Sequence, residues 1–232
     1  MKKTKKQIRQ PERPLGKDLE AVLANLKTVT QRNLYLIAEG ILVPPADDDE
    51  LARRERRWKE YCPARFQKLT VALLPCSTKV ISQVLSFPIE TEGLRIVGPT
   101  GTGKTRMAWE ALRVSYLSGV SILALDGMDF GSRASAAYRD GTERDFFWRM
   151  IERQILFIDD LGKGKMTARV LEALFTVVDR RGNENKPILT TMNYTAESFE
   201  AKLLREEADP ETVAALLRRM NENMTTIAVK KL

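Results

Sequence analysis

The eight residues GPTGTGKT, Gly98 to Thr105, constrain this chain more than any other stretch in it. They follow the apolar run LRIV (94–97) directly and open an amphipathic stretch at 104–118, so the local order reads strand, tight loop, helix. The pattern G-x-x-x-x-G-K-[ST] is met at every required position. Gly98, Gly101 and Gly103 allow the backbone to curl around phosphate oxygens, where a Cβ would clash or force costly dihedrals. Successive amides and the helix starting near Lys104 present positive ends to an anion. Lys104 offers a mobile charge to β- and γ-phosphates, and Thr105 offers a hydroxyl to Mg²⁺. A glycine-rich turn that happens to contain Lys-Thr would not require this flanking context. The candidate nucleotide-binding residues are therefore Gly98, Pro99, Thr100, Gly101, Thr102, Gly103, Lys104 and Thr105, with Arg106 beside them.

Further short apolar runs occur at 121–125, 155–158, 187–192 and 225–229, separated by amphipathic helical stretches such as 167–180. Five buried strands alternating with helices predict an α/β fold, a five-stranded parallel sheet covered on both faces. Upstream the texture differs. Residues 1–16 carry six Lys or Arg against one Glu and read as a basic disordered arm. Leu19, Leu23, Leu26, Leu34 and Ile37 recur at helical spacing. VPPADDDE (43–50) breaks that pattern and leads into the basic helix ELARRERRWKEY. The expected organisation is an arm (1–16), a small helical partner-binding region (17–60) and a nucleotide-binding domain (61–232).

Composition removes several chemistries. There is no histidine, so His-based general bases, His-containing zinc sites and Ser-His-Asp triads are excluded. The two cysteines, Cys62 and Cys76, are too few for a four-thiolate zinc site. A formal charge of +7 suits a polyanionic partner, DNA or RNA. No apolar run approaches the roughly 18–20 residues that cross a bilayer, and no apolar stretch follows the basic N-terminus. No membrane association and a cytoplasmic location are expected.

A phosphate loop needs a carboxylate on a second strand to hold the metal from the far side. ILFIDD ends on two, Asp159 and Asp160. Asp159 is the metal-side acid. Asp160, one residue on, either orients the attacking water or caps the turn DLGKG. A third strand, KPILTTMNY, ends on Asn193, whose amide either touches the γ-phosphate or nucleophilic water or simply forms a turn.

Together, GPTGTGKT, ILFIDDLG, the helix TARVLEALFTVVDRR and the strand KPILTTMN resemble the DnaC/DnaI/IstB branch of AAA+ ATPases, with the likeness spanning roughly Tyr61 to Val229. YCPARF resembles the lead-in these proteins place before the ATPase core, and DFGSRASAAYRDG their second strand-to-helix segment. The resemblance implies an AAA+ P-loop fold without a separate C-terminal lid. It also implies ATP and Mg²⁺ as ligands and Asn193 as the sensor residue. By the same resemblance ALLRRMNENMTTIAV carries an arginine finger, Arg219 first and Arg218 in reserve, reaching the γ-phosphate of a neighbouring subunit. ATP-dependent self-association into a ring or spiral follows, with single-stranded DNA along the inner surface; Phe130, Tyr138 and Arg139 are candidates for contacting it. Asp-Asp replaces the Asp-Glu of many AAA+ proteins; Asp160 is one methylene shorter than glutamate, which implies slow, switch-like turnover. The leading expectation is an ATP-dependent loader of a hexameric replicative helicase, contacted through 17–60. The alternatives are an IstB-like transposition helper that assembles on duplex DNA and recruits a transposase, and an interaction protein that binds ATP but barely hydrolyses it.

Overall fold

The five apolar runs form five parallel strands: β1 Gly93–Val97, β2 Ile122–Asp126, β3 Ile155–Asp159, β4 Ile188–Met192 and β5 Met224–Ala228. Their spatial order is β2-β3-β4-β1-β5. The computed structural model describes residues 45–67, 74–206 and 208–231. The basic arm expected at 1–16, and the part of the helical region before residue 45, lie outside the described residues.

The central strands β1 and β4 are buried along their whole length, and β3 up to Asp159, because both faces of the sheet are covered; they are apolar except at Arg95, Thr190 and Thr191. In β3, Ile155 and Phe157 enter the core on one side, Leu156 and Ile158 the core on the other, and all four are buried. Burying each contributes roughly 1.5–3 kcal/mol. One core is closed by α5 Gly127–Asp140, α6 Glu143–Glu152, α7 Ala168–Asn183, α8 Ala196–Arg205 and α9 Pro210–Asn223. The other is closed by α1 Asp48–Tyr61, α2 Ala64–Gln67, α3 Thr78–Leu85 and α4 Lys104–Leu117. No helix follows β5 among the described residues. None of the described helices is long and apolar enough to cross a membrane.

The basic helix expected after VPPADDDE is α1. Asp47 caps it by accepting from the Glu50 amide, and Asp48, Asp49 and Glu50 sit in its first turn, where the helix dipole favours acids. Its polar face is solvated at Arg53, Arg56 and Arg57, whereas Arg54 pairs with Glu50 and donates to Leu117 O. Its last turn crosses the expected boundary at residue 60. There Trp58 packs edge-on to Trp109 of α4, and the Tyr61 ring stacks on Tyr116. The Tyr61 hydroxyl donates to Ile122 O and accepts from Ala124 N, covering the outer edge of β2. The sheet order has one consequence for chemistry. Because β4 lies between β3 and β1, the C-terminal ends of all three strands meet, the usual place for a ligand in an open α/β sheet.

Candidate nucleotide site

The loop after β1 begins at Gly98, whose amide donates to Met192 O at 3.1 Å; next to it the Val229 amide donates to Val97 O at 2.7 Å. A Cβ at Gly98 would lie 2.2 Å from Val229 O, so the chain passing just after β5 requires this glycine even without phosphate. Gly101 is the reverse case: nothing lies within 4 Å of a Cβ there, but its φ of +82° favours glycine. The Thr102 side chain is buried and its hydroxyl donates to Pro99 O, pinning the loop instead of facing the cleft. Pro99 and Thr100 are exposed at the loop tip, and Arg106 is exposed one turn into α4.

Lys104 is held by three oxygens. Its Nζ donates to Gly98 O at 2.8 Å, Pro99 O at 2.9 Å and Asn193 Oδ1 at 2.8 Å. Burial pushes its pKa down, and the charges of Asp160 and Asp159 oppose that shift. The ammonium is thus already placed over the loop and linked to the end of β4. Thr105, in the first turn of α4, donates its hydroxyl to Asp159 Oδ1 at 2.8 Å, and Thr191 donates to the same oxygen at 2.6 Å. Burial raises the Asp159 pKa; the two hydroxyl donors work against it. A half-buried carboxylate beside a hydroxyl is a hard, all-oxygen set that fits Mg²⁺.

Asp160 takes the left-handed region, φ 52°. Its amide donates to Thr191 Oγ1 at 2.8 Å. Asn193 Nδ2 reaches its Oδ1 and Lys163 Nζ its Oδ2, both at 3.5 Å. Lys104, Thr105, Asp159, Asp160 and Asn193 line a cleft of 510 Å³ with Thr100, Gly101, Gly103 and Arg106. Arg65, Phe66, Leu74 and Pro75 complete its lining.

Of the residues picked from the two loop motifs, Gly98, Pro99 and Thr102 do not line the cleft, whereas Thr100, Gly101, Gly103, Lys104, Thr105, Arg106, Asp159 and Asp160 meet Asn193 there. Arg218 and Arg219 do not join them: they lie on α9, Arg218 exposed and Arg219 ion-paired with Asp179 of α7 at 2.9 Å and with Glu222 at 3.1 Å. Phe130 is corrected as a DNA-contact candidate. At 1% exposure it packs edge-on to Phe146 in the core. Tyr138 is half-buried, and Arg139 is exposed but paired with Asp140. Two contributions escaped the sequence reading. Thr191 ties both acids together, and its signal was the pair of hydroxyls, Thr190 and Thr191, in a wholly buried strand. The Arg65–Phe66 wall, with the guanidinium 4.5 Å from the ring centre, was quoted only as a lead-in.

The fold is shared with DnaI, at 17% identity over 73% of this chain and 95% of that one, TM-score 0.60. It is shared with the DnaC helicase loader at 23% identity over 66% and 86%, TM-score 0.52. AMPPCP-bound DnaA from Aquifex aeolicus has it too, at 15% identity, TM-score 0.51; the match covers 66% of this chain and 45% of that one. No curated protein sequence matches the chain. Residues 77–231 match the family described as IstB-like ATP binding protein, a span that holds the loop, both acids and Asn193, and the chain belongs to that family within the AAA+ P-loop fold.

Proposed function

We propose that this protein is an Mg²⁺-dependent ATPase that loads a hexameric replicative helicase onto single-stranded DNA. The observation that carries the ATPase part is the meeting of Lys104, Thr105, Asp159, Asp160 and Asn193 at the ends of β1, β3 and β4. Lys104 exchanges its protein oxygens for the β- and γ-phosphates of ATP. Thr105 and Asp159 hold Mg²⁺, which when bound neutralises charge on the phosphate oxygens. Asp160 orients the attacking water, and Asn193 links the γ-phosphate to the end of β4. Asp160 reaches less far than a glutamate would, so turnover is slow. Arg219, with Arg218 in reserve, leaves its pairing with Asp179 to reach a neighbouring subunit's ATP in a ring or spiral.

Support for the loader reading comes from the likeness to DnaI over nearly all of that chain and to the DnaC helicase loader. The family match favours a second reading, an IstB-like transposition helper on duplex DNA with a transposase partner. Co-purification with the host replicative helicase, with and without ATP, separates them, comparing the full chain with one starting near Trp58. Retention of the full chain alone supports the loader with residues 1–57 as adaptor. Failure of both, with ATP-dependent assembly on duplex DNA, moves the assignment to the transposition helper.

A further inference from the structure

The DLGKGK stretch after β3 contains two lysines that the ATP site does not account for. Asp160 and Gly162, both at positive φ, fold it into a tight turn in which the Lys163 amide donates to Asp160 O at 2.9 Å. That turn brings the Lys163 ammonium back to 3.5 Å from Asp160 Oδ2. The far end of the segment is held as well, the Met166 amide donating to Glu206 Oε2 at 2.7 Å and Lys202 Nζ to Gly164 O at 3.1 Å. Between these anchors Lys163, Gly164 and Lys165 are exposed, and Arg169 is exposed on the first turn of α7. The side chains of Lys165 and Arg169 make no hydrogen bond or ion pair among the described residues. Three cations thus face solvent on one short segment, and one of them touches the acid that orients water.

We infer that Lys163 is a positioning residue that couples a nucleic-acid backbone lying on the 163–169 segment to Asp160 at the ATP site. The inference rests on the hydrolysis proposed above. In the free protein Lys163 and Asn193 each engage one carboxylate oxygen of Asp160, which ties it toward the loop and lowers its capacity to accept a hydrogen bond from water. A phosphodiester chain drawn by Lys165 and Arg169 competes for the Lys163 ammonium, and Asp160 is released. The partner is a polyanion because all three groups are cationic and the whole chain carries +7. A contact at 3.5 Å between partly exposed groups is weak, which suits a restraint that a partner must undo.

The test is steady-state ATP turnover of the full chain at low salt, alone and with a single-stranded oligothymidylate or a blunt DNA duplex in separate arms. Lys163→Ala should raise the unstimulated kcat up to about fivefold, the ceiling for losing an exposed ion pair, with KM for ATP unchanged and no further stimulation by DNA. Lys163→Arg should restore the low unstimulated rate and the stimulation. A parent that neither DNA stimulates, or a Lys163→Ala variant with the parent's rate and stimulation ratio, overturns the coupling alone. A fall in the unstimulated rate of Lys163→Ala also overturns it, since the pair would then support Asp160. Absence of hydrolysis by the parent under every condition overturns the ATPase reading and the coupling with it.

Discussion

Replacing Gly98 by alanine separates two reasons for a glycine in a phosphate loop. If Gly98 serves phosphate approach, Gly98→Ala harms nucleotide binding and leaves the empty protein intact. The structure says otherwise, since the new Cβ would sit 2.2 Å from Val229 O and 3.1 Å from Val229 C, both backbone atoms. Neither can rotate away, so the end of β5 must move by about an ångström, an overpacking strain of roughly 1–3 kcal/mol. The shift stretches the 2.7 Å bond from Val229 N to Val97 O, worth about 1 kcal/mol. The sum, about 2–4 kcal/mol, lowers the melting temperature of the nucleotide-free protein by roughly 5–15 °C for a domain of this size. Gly101→Ala is the control: its Cβ meets nothing within 4 Å, and only the positive φ opposes it, at about 1–2 kcal/mol. Thermal melts without nucleotide should therefore rank Gly98→Ala below Gly101→Ala. Fluorescent-ATP titration should show Gly101→Ala weakened despite the smaller melting shift. A Gly98→Ala protein that melts within about a degree of the parent refutes the packing argument.

Lys104→Ala should abolish fluorescent-ATP binding, because the three N–H donors now held by Gly98, Pro99 and Asn193 are the ones phosphate would take. Asp160→Asn should bind ATP like the parent and lose hydrolysis by at least about tenfold in a phosphate-release assay; unchanged turnover would return Asp160 to a turn-capping role. Asp159→Asn tests the effect of burying a charge. Burial lifts the Asp159 pKa above its ordinary value of about 3.9, so the folded state binds that proton more tightly than the unfolded state does. The associated stability is full below the ordinary value and is lost as pH rises through the raised one. The asparagine removes that loss while still accepting from Thr105 and Thr191. The nucleotide-free variant should thus melt higher than the parent at neutral pH, and the extra Mg²⁺-dependent stabilisation by ATP should vanish.

The strand–loop–helix of 94–118, the five apolar runs and the paired acids were all readable from sequence. Each is written in local periodicity and in residue types whose backbone preferences act over a few positions. The family resemblance added Asn193, which spacing alone left as a possible turn residue. Tertiary structure decided the remainder because it depends on which strands are neighbours. Only the insertion of β4 between β3 and β1 brings Asn193 onto Lys104 and Thr191 onto both acids. Only the pairing of β5 with β1 explains Gly98, whose partner is 131 positions away at Val229. Phe130 had the composition of a surface stacking residue until the packing of α5 on α6 and α7 buried it. Local sequence chooses the shape of each segment; sheet order, set by burial and pairing between distant segments, chooses which side chains share a site.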